Sequence, residues 1–207
     1  MRIEKLSPSR HKQGRWLVQL EDGSLLRVGE EQMADFALYT GMELEEETVQ
    51  ALLEASAESA LREKALSLVT QRPYARAELI RKLAEKGARP EQAEKTADWL
   101  ERLGLLNDRE FAAALVQHCS AKGYGPMKLK DELYRRGVPR QLWEEALAQA
   151  EDPAAAIDRF LSRRWKGERP DRKECKRAAD ALARRGYLWQ DISEGLTRYT
   201  QELWDLE

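Results

Sequence analysis

Laid over itself with shifts of 50 and then 49 residues, this chain matches itself without a gap. Leu79, Leu83 and Gly87 align with Leu129, Leu133 and Gly137, and then with Ala178, Leu182 and Gly186. The register holds upstream, at Leu61, Phe111 and Phe160 and at Leu66, Val116 and Trp165. It holds downstream at Ala93, Trp143 and Ile192. A fixed period of this length belongs to stacked supersecondary units, each too small to bury its apolar face alone. Stacked units present one long surface, suited to a large partner.

Within each period the apolar spacing predicts three helices. In the first, a helix over 58–71 stops before Pro73, a second over Arg76–Lys86 ends at Gly87, and a third runs from Pro90 to Leu103. Glycine at that position suits the left-handed conformation that closes a helix, and proline suits a first helical turn. Asn107 with Glu110 gives a capping-box pattern opening the second unit. There the helices cover 108–121, then Pro126 to Gly137, then the stretch after Pro139 with Trp143 and Leu147. The third unit follows Pro153, with Ile157, Phe160, Leu161 and Trp165 inward and a last helix from Trp189 or Ile192 to Trp204.

The start of the chain reads differently. Trp16, Val18 and Leu20 alternate with other residues, Asp22-Gly23 follows, and Leu25, Leu26 and Val28 come next, the pattern of a hairpin. Arg2 to Leu6 offers a third strand, and Met33–Tyr39 a short helix. Glu43 to Glu58 carries six acids and no base, with Glu45, Glu46 and Glu47 at a helix start where they complement the dipole. That helix either runs into the first repeat or breaks near Ser56–Ser59. The expected fold is mainly α: three tandem three-helix repeats in an elongated curved array, preceded by a small N-terminal β module. The expected segments are 1–42 for the β-rich module, 43–57 for an acidic linker helix, and 58–107, 108–152 and 153–207 for the repeats.

The formal charge of −2 hides a segregation. Residues 1–60 hold 6 Lys/Arg against 12 Asp/Glu, residues 61–150 hold 17 against 13, and 159–185 hold 11 against 4. An anionic partner is therefore favoured by the C-terminal part and disfavoured by the N-terminal part. The first residues contain no apolar signal region and no apolar run approaches the ~18 residues of a membrane span, so cytoplasmic residence is expected. Cys119 and Cys175 lack CxxC spacing and read as small packing side chains.

Catalytic patterns are missing from the sequence. His11 and His118 lie in unrelated settings, and His118 has no His or Glu four residues away to make a zinc helix. Trp143 and Trp165 fall on core positions rather than stacking platforms. An enzyme is not expected, nor a cofactor or metal. The basic residues form the candidate site. Lys86, Arg136 and Arg185 each precede a helix-ending glycine, where a cation also stabilises the helix terminus by ~0.3–1 kcal/mol. The candidates for contact with a partner or nucleic acid are Arg76, Lys82, Lys122, Lys128, Arg135, Arg136, Arg163, Arg164, Lys166, Arg172, Lys173 and Arg177. The loop Lys122-Gly123-Tyr124-Gly125 is either an anion-binding turn or a chain reversal, the latter favoured.

Two blocks carry a family resemblance. Glu78-Leu79, Leu83, Gly87 and then Leu103-Gly104-Leu105-Leu106-Asn107-Asp108 with Phe111-Ala112 form the first; Gly123-Tyr124-Gly125-Pro126, Leu129, Glu132-Leu133 and Arg136-Gly137-Val138 form the second. Over about residues 72–147 the chain resembles the RecX family of RecA regulators. Ala75 departs from the pattern, standing where the family commonly has Ser, so a side-chain helix cap worth ~1 kcal/mol is expected to be missing. The first 60 residues lie outside the resemblance. It implies a non-enzymatic, monomeric modulator that binds RecA and its single-stranded DNA filament and restrains recombinase and ATPase activity, with weak direct DNA contact in addition. The alternatives are an autonomous helix-turn-helix-like DNA binder, since helix two, glycine turn and helix three have that spacing, and a helical-repeat scaffold for an unrelated protein.

Overall fold

A computed structural model describes residues 1–10 and 13–204, with side chains described to residue 201; His11 lies outside the described residues. The protein is mainly helical with a small N-terminal sheet. Three antiparallel strands, β1 (Ile3–Pro8), β2 (Arg15–Leu20) and β3 (Leu25–Gly29), lie in that order, with β2 central. The hairpin turns at Asp22-Gly23: Asp22 Oδ1 accepts from the Ser24 amide at 2.9 Å and Gly23 takes φ 81°. Arg2 to Leu6 does supply the third strand, shifted to Ile3–Pro8. The short helix α1 covers Glu30–Asp35 rather than 33–39, because Gln32 Oε1 accepts from the Gly29 amide at 3.0 Å and fixes the helix start earlier.

The acidic stretch does not break. Helix α2 runs unbroken over Glu46–Gln71. Its first half buries Val49 and Leu52 with Ile3, Val18, Leu20 and Val28 of the sheet, and its second half buries Leu61 and Ala65 and packs on α4 (Pro90–Arg102). Burial of such aliphatic side chains stabilises by about 1.5–3 kcal/mol each. Ser56 of α2 donates its hydroxyl to the Arg27 carbonyl, so the helix covers the middle of the open edge of β3, one way to block edge pairing.

The remaining helices are α3 (Arg76–Glu85), α5 (Asp108–Ala121), α6 (Pro126–Arg136), α7 (Trp143–Leu147), α8 (Pro153–Trp165), α9 (Arg172–Arg184) and α10 (Trp189–Trp204). The stretch after Pro139 is shorter than a full helix. A 3-10 turn over Arg140–Leu142 precedes the five-residue α7, and the Glu151 amide then donates to Ser120 Oγ at 3.0 Å, drawing the chain back to α5. Trp143 is half-buried and donates Nε1–H to the Val138 carbonyl at 2.9 Å; Trp165 is buried against Tyr199, ring centroids 5.1 Å apart. Both tryptophans pack.

The chain divides into two compact units, Met1–Arg72 with Lys82–Arg102, and Pro73–Arg81 with the chain from Leu103 onward. The second unit holds two cores. One gathers Ala75, Phe111, Val116, Leu129, Leu133 and Val138; the other gathers Ile157, Leu161, Trp165, Leu182 and Ile192. Among the described residues no helix is long and apolar enough to cross a membrane.

Candidate basic partner surface

The helix-ending glycines share one geometry. Gly87, Gly137 and Gly186 take φ of 90°, 78° and 86°. Each amide donates three residues back, to Ala84, Tyr134 and Ala183, and the next amide donates five back, to Leu83, Leu133 and Leu182. This is the Schellman closure, which the left-handed glycine permits.

In the second unit two of these turns are docked on the start of an earlier helix. A Cβ at Gly137 would stand 2.8 Å from Ala77 Cβ in the first turn of α3, and Arg81 Nη2 donates to the Arg135 carbonyl at 3.0 Å. At Gly186 a Cβ would stand 2.5 Å from the Lys128 amide nitrogen in α6. The Gly125 and Met127 amides donate to the Arg185 and Gly186 carbonyls at 2.7 and 3.0 Å, and a Cβ at Gly125 would meet the Tyr187 nitrogen at 2.5 Å. The Lys122–Gly125 loop is thus a seat for the end of α9. Its Gly125 amide is spent on a carbonyl rather than held out to an anion.

The missing cap at Ala75 has a replacement from elsewhere in the chain. Ala75 is fully buried, and Asp108 Oδ1, from the first turn of α5, accepts the Arg76 amide at 2.7 Å. Neighbouring Asn107 caps α5 itself, accepting from Arg109 and Glu110 at 3.0 and 3.3 Å.

The candidate cations fall into distinct settings. Arg136 Nη1 reaches Glu78 Oε1 at 2.8 Å, their side chains 30% and 12% exposed, so this pair holds α6 to α3. Arg135 pairs with Glu132 at 2.9 Å, Lys82 with Glu85 at 2.6 Å, and Lys128 Nζ stands 4.2 Å from the Tyr124 ring centroid. Arg76 is half-buried at the start of α3. Lys166, in the left-handed conformation at φ 49°, and Arg172, Lys173 and Arg177 of α9 are exposed.

Lys122, Arg163 and Arg164 come together. They line a cleft of about 340 Å³ with Arg159, Arg185 and a floor that includes Phe160, Leu182 and Tyr187. Arg159 is held bidentately by Glu151, and the Arg185 guanidinium lies 4.7 Å from the Phe160 ring centroid. Among the described residues no carboxylate pairs with Lys122, Arg163 or Arg164, and no acid lines the cleft. Burial raises the Tyr187 phenol pKa, so it stays neutral. Arg159 and Arg185 were absent from the candidates, although Arg159, Phe160, Arg163 and Arg164 show the i, i+3, i+4 spacing of one helix face. Convergent, unneutralised guanidinium groups are suited to recognising carboxylate or phosphate.

Other candidate chemistry does not assemble. Burial raises the thiol pKa of Cys119 and Cys175, keeping both protonated near neutral pH. Among the described residues no group of His, Cys, Asp and Glu is arranged to hold a metal. Docked glycine turns and a basic cleft characterise a mainly helical protein without an assembled catalytic or metal centre among the described residues.

Comparison with known proteins narrows that class. Residues 62–100 match the family model described as RecX, first three-helix domain, and 107–147 match RecX, second three-helix domain. The chain is 37% identical over 142 residues to the regulatory protein RecX of Xanthomonas axonopodis pv. citri (strain 306), covering 68% of this chain and 87% of that one. It is 33% identical over 140 residues to RecX of Pseudomonas entomophila (strain L48), covering 67% and 90%. A crystal structure of regulatory protein RecX matches the fold with TM-score 0.69 at 22% identity, over 93% of this chain and 97% of that one. RecX from Lactobacillus salivarius matches with 0.56 at 22%, over 72% and 97%. The chain belongs to the RecX family of regulatory proteins, whose members are regulators rather than enzymes.

Proposed function

We propose that this protein regulates RecA by binding RecA–single-stranded DNA filaments, restraining recombinase and ATP hydrolysis with no chemistry of its own. The observation that carries the reading is the convergence of Lys122, Arg163 and Arg164, without a carboxylate partner among the described residues, on one cleft that no acid lines. Acidic RecA surface or DNA phosphate would neutralise them. The cations of α9 extend the contact beyond the cleft. The protein acts as a cytoplasmic monomer.

We read the helices as three tandem three-helix repeats over 58–107, 108–152 and 153–207, after a β-rich module over 1–42 and an acidic stretch over 43–57 whose helix, α2, continues into the first repeat. The shared closures at Gly87, Gly137 and Gly186 support that division. Stacking by docked turns would let the repeats follow a polymeric partner. Stoichiometric addition to RecA on single-stranded DNA is expected to depress DNA-dependent ATP hydrolysis and strand exchange. Unchanged rates, or tight binding to free DNA to which RecA adds nothing, would overturn the proposal.

A further inference from the structure

The first unit carries a second basic depression, independent of the RecA reading. It is a groove of about 840 Å³ between β3 and the middle of α2. Leu25 and Leu53, on its walls, are 50% and 43% exposed and give the groove an accessible apolar lining. The charges are selective. Of the acids in residues 1–60, twelve in all, none lines the groove, yet Arg15 and Arg27 do, with Lys64 beside them. The single acid present, Glu63, is engaged by Arg15 at 3.0 Å. Among the described residues Arg27 and Lys64 have no carboxylate partner and are exposed.

A positive, partly apolar groove set in an acidic module favours one kind of occupant by charge complementarity. We infer that the groove between β3 and α2 docks an extended acidic peptide segment of a partner protein, with an aliphatic side chain seated between Leu25 and Leu53 and carboxylates meeting Arg27 and Lys64. Strand addition along β3 is not the mode, because Ser56 already holds the Arg27 carbonyl and α2 covers that point. The segment lies along α2, reading side chains. Acids on the rest of the module repel the same peptide elsewhere, which gives the groove its selectivity.

The test uses the full chain, isotopically labelled for amide NMR, titrated with a ten-residue peptide alternating Asp and Leu and, separately, with its Lys and Leu counterpart. Saturable shifts centred on Leu25, Leu53 and Lys64 with the acidic peptide alone are expected. The surface double variant Arg27→Glu/Lys64→Glu should weaken that binding about tenfold or more and admit the basic peptide. Leu53→Asp, also on the surface, should weaken the acidic peptide comparably. Equal response to both peptides, shifts confined to Lys122, Arg163 and Arg164, or no saturable response would each overturn the inference.

Discussion

Arg136 and Arg185 stand one residue before glycines that close their helices with the same hydrogen bonds, yet their side chains do different work. Arg136 turns back to Glu78 and joins α6 to α3. Arg185 lies on Phe160 at the wall of the basic cleft. The period fixes the backbone, because only a left-handed glycine and an adjacent helix start satisfy the docked turn. It leaves the neighbouring cation free to pair with Glu78 at one junction and to line the basic cleft at the other.

That contrast can be broken most severely at the glycines. Gly186→Ala should destabilise the second unit by about 3 kcal/mol, combining left-handed strain with overlap onto the Lys128 backbone. Gly137→Ala, which meets a methyl group at 2.8 Å, should cost about 2 kcal/mol. Urea unfolding of both variants checks the order, and equal losses would mean the junctions are packed alike. Asp108→Ala removes the borrowed cap of α3 and should lower stability by about 1 kcal/mol, with Asp108→Asn recovering part of it.

The arginines sharpen the comparison. Arg136→Ala should cost about 1 kcal/mol of stability, through loss of the ion pair with half-buried Glu78, and spare partner binding. Arg185→Ala should do the reverse, losing under ~1 kcal/mol of cation–π contact and weakening the partner complex. The smallest effect is expected at Arg109–Glu145. The hydrogen bond from Arg109 holds the Glu145 carboxyl below its ordinary pKa. A depressed folded pKa means stability present above the unfolded value and lost as pH falls through the folded one. Thermal melts of wild type and Glu145→Gln should differ near neutral pH and converge as pH falls through the depressed folded pKa of Glu145.

Much of this is legible in the sequence. The self-alignment located the glycine turns, and Pro126 and Pro153 marked helix starts that the structure keeps. Contacts between distant segments were not legible. Nothing local reveals that Asp108 caps α3, or that Gly125 is a glycine because the Gly186 turn presses on it. The pairing of Arg136 with Glu78 likewise depends on tertiary placement, whereas Arg135–Glu132 and Lys82–Glu85 are i, i+3 pairs within one helix that the spacing already offers. The face of α8 bearing Arg159, Arg163 and Arg164 was readable from helical spacing, but its cleft needed the ends of α5 and α9 as well.

Co-sedimentation with RecA–single-stranded DNA filaments, comparing wild type with Arg163→Glu/Arg164→Glu, tests the central claim most directly. Both residues are exposed, so the variant should fold as wild type does. The account predicts that wild type pellets with the filament and the variant remains in solution. Equal pelleting of the two proteins would contradict it.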